Sequence, residues 1–200
     1  MAKLTEKEQD HILLRQVKNG DMVAFSKLVD RYKERLMNVI FRMLSSQQEA
    51  EDIVQETFLR VYQHRDSFDF KHCFSTWIYT IALNLARNEL RKRKRFKFFD
   101  ITDMQGHENE ISVEMDLPSN LPQALDKAIG GLPDKYKTAF ILRDVQELPY
   151  DEVAKIMNIP LGTVKSRVNR ARSLLRDKLK PRMEENHALS KGTLLPVSLL

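Results

Sequence analysis

The chain has 200 residues, with 33 Lys and Arg against 28 Asp and Glu, a formal charge of +5. That length suits one domain or two small ones, and six glycines and seven prolines leave a helix-forming composition. One cysteine excludes an internal disulfide, no apolar run approaches the roughly 18 residues of a membrane span, and MAKLTEKEQD has no signal-peptide core. A cytoplasmic, all-α protein with no membrane insertion of its own is expected.

Residues 6–18 predict a first helix that stops at Asn19-Gly20, a common C-terminal signal. Asp21 can cap the next helix. In it Ala24, Phe25, Leu28, Val29, Tyr32, Leu36, Val39, Ile40 and Met43 recur at three- and four-residue steps, as one buried face requires. Ser45-Ser46 ends it. A third helix covers about 47–63, with Ile53, Val54, Phe58 and Val61 apolar. Its other side carries Glu49, Asp52 and Glu56 in one stripe, with Gln55 beside it. A solvated face, a magnesium site and a ridge for a basic partner all fit that stripe. Magnesium chemistry needs carboxylates converging on a cavity, and a second acidic cluster is missing.

The loop HRDSFDFKHC leads into a fourth helix from near Phe74 to the run RKRKR, Arg91–Arg95. Phe74, Ile78, Ile81 and Leu85 make one face. Trp77, Thr80, Asn84, Arg87, Asn88 and Arg91 make another. Aromatic, amide and arginine side chains in one stripe suit single-stranded nucleic acid, where bases stack and cations track the phosphates. Each of Phe68, Phe70 and Trp77 is equally well read as core. His72-Cys73 has no second pair at metal-ligand spacing, so no metal and no cofactor are expected.

Charge divides the chain. Residues 1–95 carry 18 basic against 13 acidic side chains, residues 96–122 carry one against six, and residues 123–180 carry 12 against seven. Two basic domains, 1–95 and 123–182, joined by an acidic linker at 96–122, are the expected organisation, with a disordered tail at 183–200. In the second domain, helices at about 121–130 and from Pro133 to about Glu147 precede a short helix, Tyr150–Met157. Pro149 suits that helix's first turn. A turn then leads to a basic helix over 162–179.

This last pair has a helix–turn–helix pattern. Val164, Val168, Ala171, Leu175 and Leu179 face inward. Lys165, Ser166, Asn169 and Arg170 lie opposite, on the N-terminal turns that meet base edges in such motifs. Arg167, Arg172 and Lys178 flank them and suit phosphates, as does Thr163 beside the free N–H groups of the helix start. By itself this defines only a DNA-binding module, such as a repressor or a response-regulator output protein.

Over about residues 10–180 the chain resembles the extracytoplasmic-function (ECF) sigma factors of bacterial RNA polymerase. The resemblance rests on GDMVAFSKLVDRY, EAEDIVQETFLRVY, FSTWIYTIALNLARNELRKRKR and LPDKYKTAFILRDVQELPYDEVAKIMNIPLGTVKSRVNRAR, in that order. It implies a region 2 domain and a region 4 domain, and no enzymatic activity. The partners implied are the polymerase core (β′ and β subunits), promoter DNA and an anti-sigma factor. Asp52, Gln55, Glu56 and Leu59 would dock on the β′ clamp. Phe68 and its loop would hold a flipped base of the minus-ten element. Trp77, Asn84, Arg87, Asn88 and Arg91 would contact the same strand. Thr163, Lys165, Ser166, Arg167, Asn169 and Arg170 would engage the minus-thirty-five element. The linker would thread the RNA-exit path. Pro149 departs from the family, which often places a Ser or Thr cap there.

Overall fold

The computed structural model describes residues 4–101 and 121–191; among them every regular element is a helix. The order is α1 (Glu6–Lys18), α2 (Met22–Leu44), α3 (Gln47–Gln63), α4 (Phe74–Ile101), α5 (Leu121–Gly130), α6 (Asp134–Phe140), α7 (Tyr150–Met157) and α8 (Leu161–Lys191). A single 3-10 turn, Arg65–Ser67, lies between α3 and α4.

Local chemistry sets the joints. Thr5 and Glu8 form a reciprocal capping box on α1: the Thr5 N–H donates to Glu8 Oε2 at 2.8 Å, and the Glu8 N–H donates to Thr5 Oγ1 at 3.3 Å. Gly20 takes a φ of 88°, a left-handed conformation that glycine adopts without strain. Asp21 caps α2 as expected, accepting from the Val23 and Ala24 N–H groups at 2.9 and 3.0 Å. Ser45 ends α2 at a φ of 55°, and Ser46 caps α3.

Helices α1 to α4 pack as a bundle. The expected face of α2 is its core: Leu28, Tyr32, Leu36, Val39 and Ile40 are fully buried. A carboxylate is buried with them. Asp10 of α1 is 2% exposed and accepts from the Tyr32 hydroxyl and from Arg31, both on α2. Burial first, then the Asp10 carboxylate, push the Tyr32 pKa far up, so its hydroxyl stays protonated and donates.

The buried side of α4 differs from the expected one. Phe74 and Ile78 are buried, but Tyr79, Ala82, Leu83 and Ala86 join them, while Ile81 and Leu85 are only partly covered. The cause lies far away in sequence. The C-terminal helices pack on a second side of α4, and one apolar cluster runs through both halves. The Tyr79 hydroxyl donates to Gln146 Oε1 at 3.1 Å, the Ser75 hydroxyl donates to Glu152 Oε2 at 3.2 Å, and Arg42 of α2 pairs with Asp126 of α5.

Further differences concern lengths. Helix α4 continues to Ile101, past the boundary expected at Arg95, and α8 continues to Lys191, past the one expected near 182. MEEN and HALSK contain good helix formers, which suit this continuation. The helix expected from Pro133 to Glu147 is shorter. It passes into one wide π turn, Ile141–Val145, and ends at Glu147, whose φ is 57°. Pro149 stands at the N-cap of α7 and supplies no side-chain cap. Most of the acidic linker (102–120) and the end of the tail (192–200) lie outside the described residues.

Tyr32→Phe should leave one Asp10 oxygen without its donor in a buried site. A loss of about 1–3 kcal/mol in urea unfolding is expected, with helix content unchanged by circular dichroism.

Candidate polymerase and nucleic-acid interfaces

The acidic stripe on α3 divides in two. Glu49 pairs with Arg93 of α4, and Arg93 also donates to the Leu44 carbonyl at 2.9 Å. Glu49 thus fastens α3 to α4. Asp52 and Gln55 remain exposed, and Glu56 is half-buried and holds Arg60 at 2.6 Å one turn on. Leu59, half exposed, stands in the same ridge. An apolar side chain flanked by carboxylates and an amide is a patch for a partner with apolar and basic groups together. Among the described residues, no three His, Cys, Asp or Glu side chains gather as a cation's ligands would.

The loop before α4 is held from α1. Lys18 Nζ donates to the Asp66 and Phe68 carbonyls at 3.1 and 3.3 Å, and His11 Nε2 lies 2.9 Å from the His72 carbonyl. Phe68 is 5% exposed. Its ring lies 5.2 Å from those of Phe70 and Trp77 and 6.2 Å from Phe74. The structure therefore places Phe68 inside an aromatic cluster rather than free in solvent. It still borders an open cavity of about 270 Å³, lined also by Ser67, Asp69, His72, Thr76, Trp77 and Thr80. Aromatic walls under a rim of hydroxyls and a carboxylate can stack an unpaired base and bond its edge.

Along α4, Asn84, Asn88 and Arg91 are exposed, while Trp77 and Arg87 are half-buried. The stripe is present, but Arg87 turns toward the C-terminal half. Its pKa is lowered, first by burial and then by Arg91 and Arg167.

On α8 the expected inner face is confirmed at Val164, Val168, Ala171 and Leu175, all at most 5% exposed. Lys165, Ser166, Asn169 and Arg170 are exposed together; Thr163 and Arg167 are half-buried. Ser166 Oγ donates to the Thr163 carbonyl at 3.0 Å, so its lone pairs are what it offers outward. The helix before it ends at Asn158 in the left-handed conformation (φ 54°), which sets the turn between α7 and α8.

The three flanking cations differ from the sequence expectation. Arg172 is held by Asp144 through two hydrogen bonds of 2.8 and 2.6 Å, which raise its pKa. Lys178 donates to the Gly131 carbonyl at 3.3 Å. Both brace α8 within its own half. Arg167 faces the N-terminal half. Sequence spacing alone carries no sign of these partners. One signal was available for the second covered side of α4: apolar residues nearly all round its first three turns, the pattern of a helix buried on more than one side.

The sequence matches known family models. The Sigma-70 region 2 model matches residues 28–96 and the Sigma-70 region 4 model matches residues 122–175. Those two regions, in that order, define the class. The chain is 40% identical to the ECF RNA polymerase sigma factor SigW of Bacillus subtilis over 178 residues, covering 84% of this chain and 95% of that one. It is 34% identical to the ECF RNA polymerase sigma-E factor of Haemophilus influenzae, covering 90% and 100%. Among solved structures, the sigma factor RpoE of Bartonella quintana, in complex with the anti-sigma factor NepR, superposes with a TM-score of 0.60 at 27% identity, covering 78% of this chain and 96% of that one. The chain belongs to the ECF RNA polymerase sigma factors.

Arg172→Ala should lower stability by about 1 kcal/mol through loss of the paired geometry. The salt dependence of duplex binding should stay unchanged. Arg170→Ala should do the reverse, reducing the salt slope by about one ion and leaving unfolding unaltered.

Proposed function

We propose that the protein directs RNA polymerase core to a specific set of promoters and helps open them, and that an anti-sigma factor holds it in check. Family membership supports the general role. The observation that carries the residue assignments is the coexistence of three unlike surfaces on one helical frame. These are the acidic ridge of α3 with its exposed leucine, the aromatic and amide stripe of α4, and the basic face of α8.

Asp52, Gln55, Glu56 and Leu59 meet the β′ subunit. Carboxylates there complement a basic partner, and Leu59 supplies apolar contact. On α8, Lys165, Asn169 and Arg170 read base edges of the minus-thirty-five element, Ser166 accepts from one, and Thr163 lies by the phosphates at the helix start. The cavity by Phe68 and Trp77 takes one unstacked base of the minus-ten element. Asn84, Asn88 and Arg91 follow the same strand. Arg87 and Arg167 join the DNA contacts once the two halves separate.

Flipping a base out of the stack costs a few kcal/mol, and a prepared pocket offsets that cost on the displaced strand. Opening of this kind asks no catalytic step and no cofactor of the chain. The functional units of this reading are 1–95, the linker 96–122 and 123–182. No described helix is long and apolar enough to cross a membrane, and the reading places the protein with polymerase in the cytoplasm. Regulation by an anti-sigma factor is supported by the Bartonella quintana relative, whose structure contains one.

Asp52→Lys and Glu56→Lys should each remove measurable binding to polymerase core while circular dichroism and melting stay normal. Retained core affinity in both would overturn the docking assignment. Asn169→Ala and Arg170→Ala should leave core binding intact and lower promoter-dependent transcript about tenfold or more, a loss of about 1–3 kcal/mol per base contact. Transcription with purified core on genomic fragments, read as start sites, checks the whole reading.

A further inference from the structure

Three arginines from the two halves meet around one cavity. Its volume is about 400 Å³, and Arg87 and Arg91 of α4, Lys135 of α6 and Arg167 of α8 all line it. Asp134 is the single carboxylate in the lining, and it already lies 4.0 Å from Lys137. Among the described residues, Arg87, Arg91 and Arg167 make no ion pair and no side-chain hydrogen bond. Arg42, also at the contact between the halves, has an acceptor in Asp126.

Like charges drawn together in a partly desolvated space repel one another. An anion among them adds an attraction to each cation that offsets this repulsion. Guanidinium groups suit phosphate oxygens because their planar N–H pairs match them two at a time. Four cations against one engaged carboxylate call for a ligand of several charges. A volume of about 400 Å³ excludes a duplex and suits a small molecule.

We propose that this cavity binds a compact oligophosphate anion, held by Arg87 and Arg91 from one half and by Lys135 and Arg167 from the other. The anion bridges the halves and keeps them together. It also occupies arginines that α4 and α8 offer to DNA, so it competes with promoter binding. The binding itself stands apart from the polymerase reading; the competition rests on it.

Calorimetry on the full chain with inorganic tripolyphosphate, at constant ionic strength, tests the proposal. One site per chain is expected, with tripolyphosphate at least tenfold tighter than sulfate. Arg87→Gln and Arg167→Gln lie on opposite halves, and each should weaken binding about tenfold, as loss of a charge-assisted hydrogen bond does. Lys135→Gln should weaken it too, without touching a DNA-facing residue. Lys33→Gln, an exposed lysine outside the cavity, should change nothing. Tripolyphosphate should raise the unfolding midpoint of the parent chain, and raise that of Arg167→Gln by less at the same concentration. Equal binding of sulfate, an equal loss in Lys33→Gln, or full affinity in Arg167→Gln would each overturn the site. Saturable binding with no promoter-dependent transcript would leave the site standing and remove the polymerase reading instead.

Discussion

Helix α4 has two apolar sides, and both are occupied. Phe74 and Ile78 face the first three helices. Tyr79 meets Gln146 from the C-terminal half, and Ala82 and Ala86 are fully buried with it. Small side chains let neighbouring backbones come close, so one helix can serve two cores. What remains for solvent is a narrow strip from Trp77 to Arg91. The proposed nucleic-acid face of the N-terminal half is therefore the part of α4 that neither core claims. Its narrowness follows from packing as much as from recognition.

The same arrangement explains the uneven fate of the cations. Those that serve packing have found acceptors: Arg93 on Glu49, Arg172 on Asp144, Lys178 on the Gly131 carbonyl. Among the described residues, Arg87, Arg91, Arg167 and Arg170 have no such acceptor, and they lie on the strip of α4, on the outer face of α8, or between the two. A paired arginine at low dielectric gives rigidity, while an unpaired one holds its hydrogen bonds in reserve for a ligand.

Much of this was legible in the residues alone. Asp21 announces its cap, Asn19-Gly20 its stop, and the three- and four-residue spacing of α2 its buried face. The outward set on α8 follows from the inward set at Val164, Val168 and Ala171. Contacts between distant segments were hidden. Spacing placed Glu49 in a ridge with Asp52 and Glu56, but nothing near Glu49 in sequence points to Arg93. Tyr79 carried the same ambiguity, since its cover arrives from residues some seventy positions away. Phe68 reads as loop by its neighbours and is core by its contacts, because Lys18 and His11 pull that loop onto α1. Local patterns describe one helix at a time; a side chain whose partner is on another helix needs the fold.

The Arg93–Glu49 pair has a mechanical consequence. It ties the start of α3 to the far end of the α4 strip, with the Leu44 carbonyl as a third anchor point. The proposed docking surface on α3 and the proposed strand-binding surface on α4 are then faces of one stiff corner piece. Grip on α3 fixes where α4 points, with no hinge between them to absorb error. The outward residues Asn84 and Asn88 carry none of this tie, so a substitution there alters the proposed reading surface and leaves the handle in place.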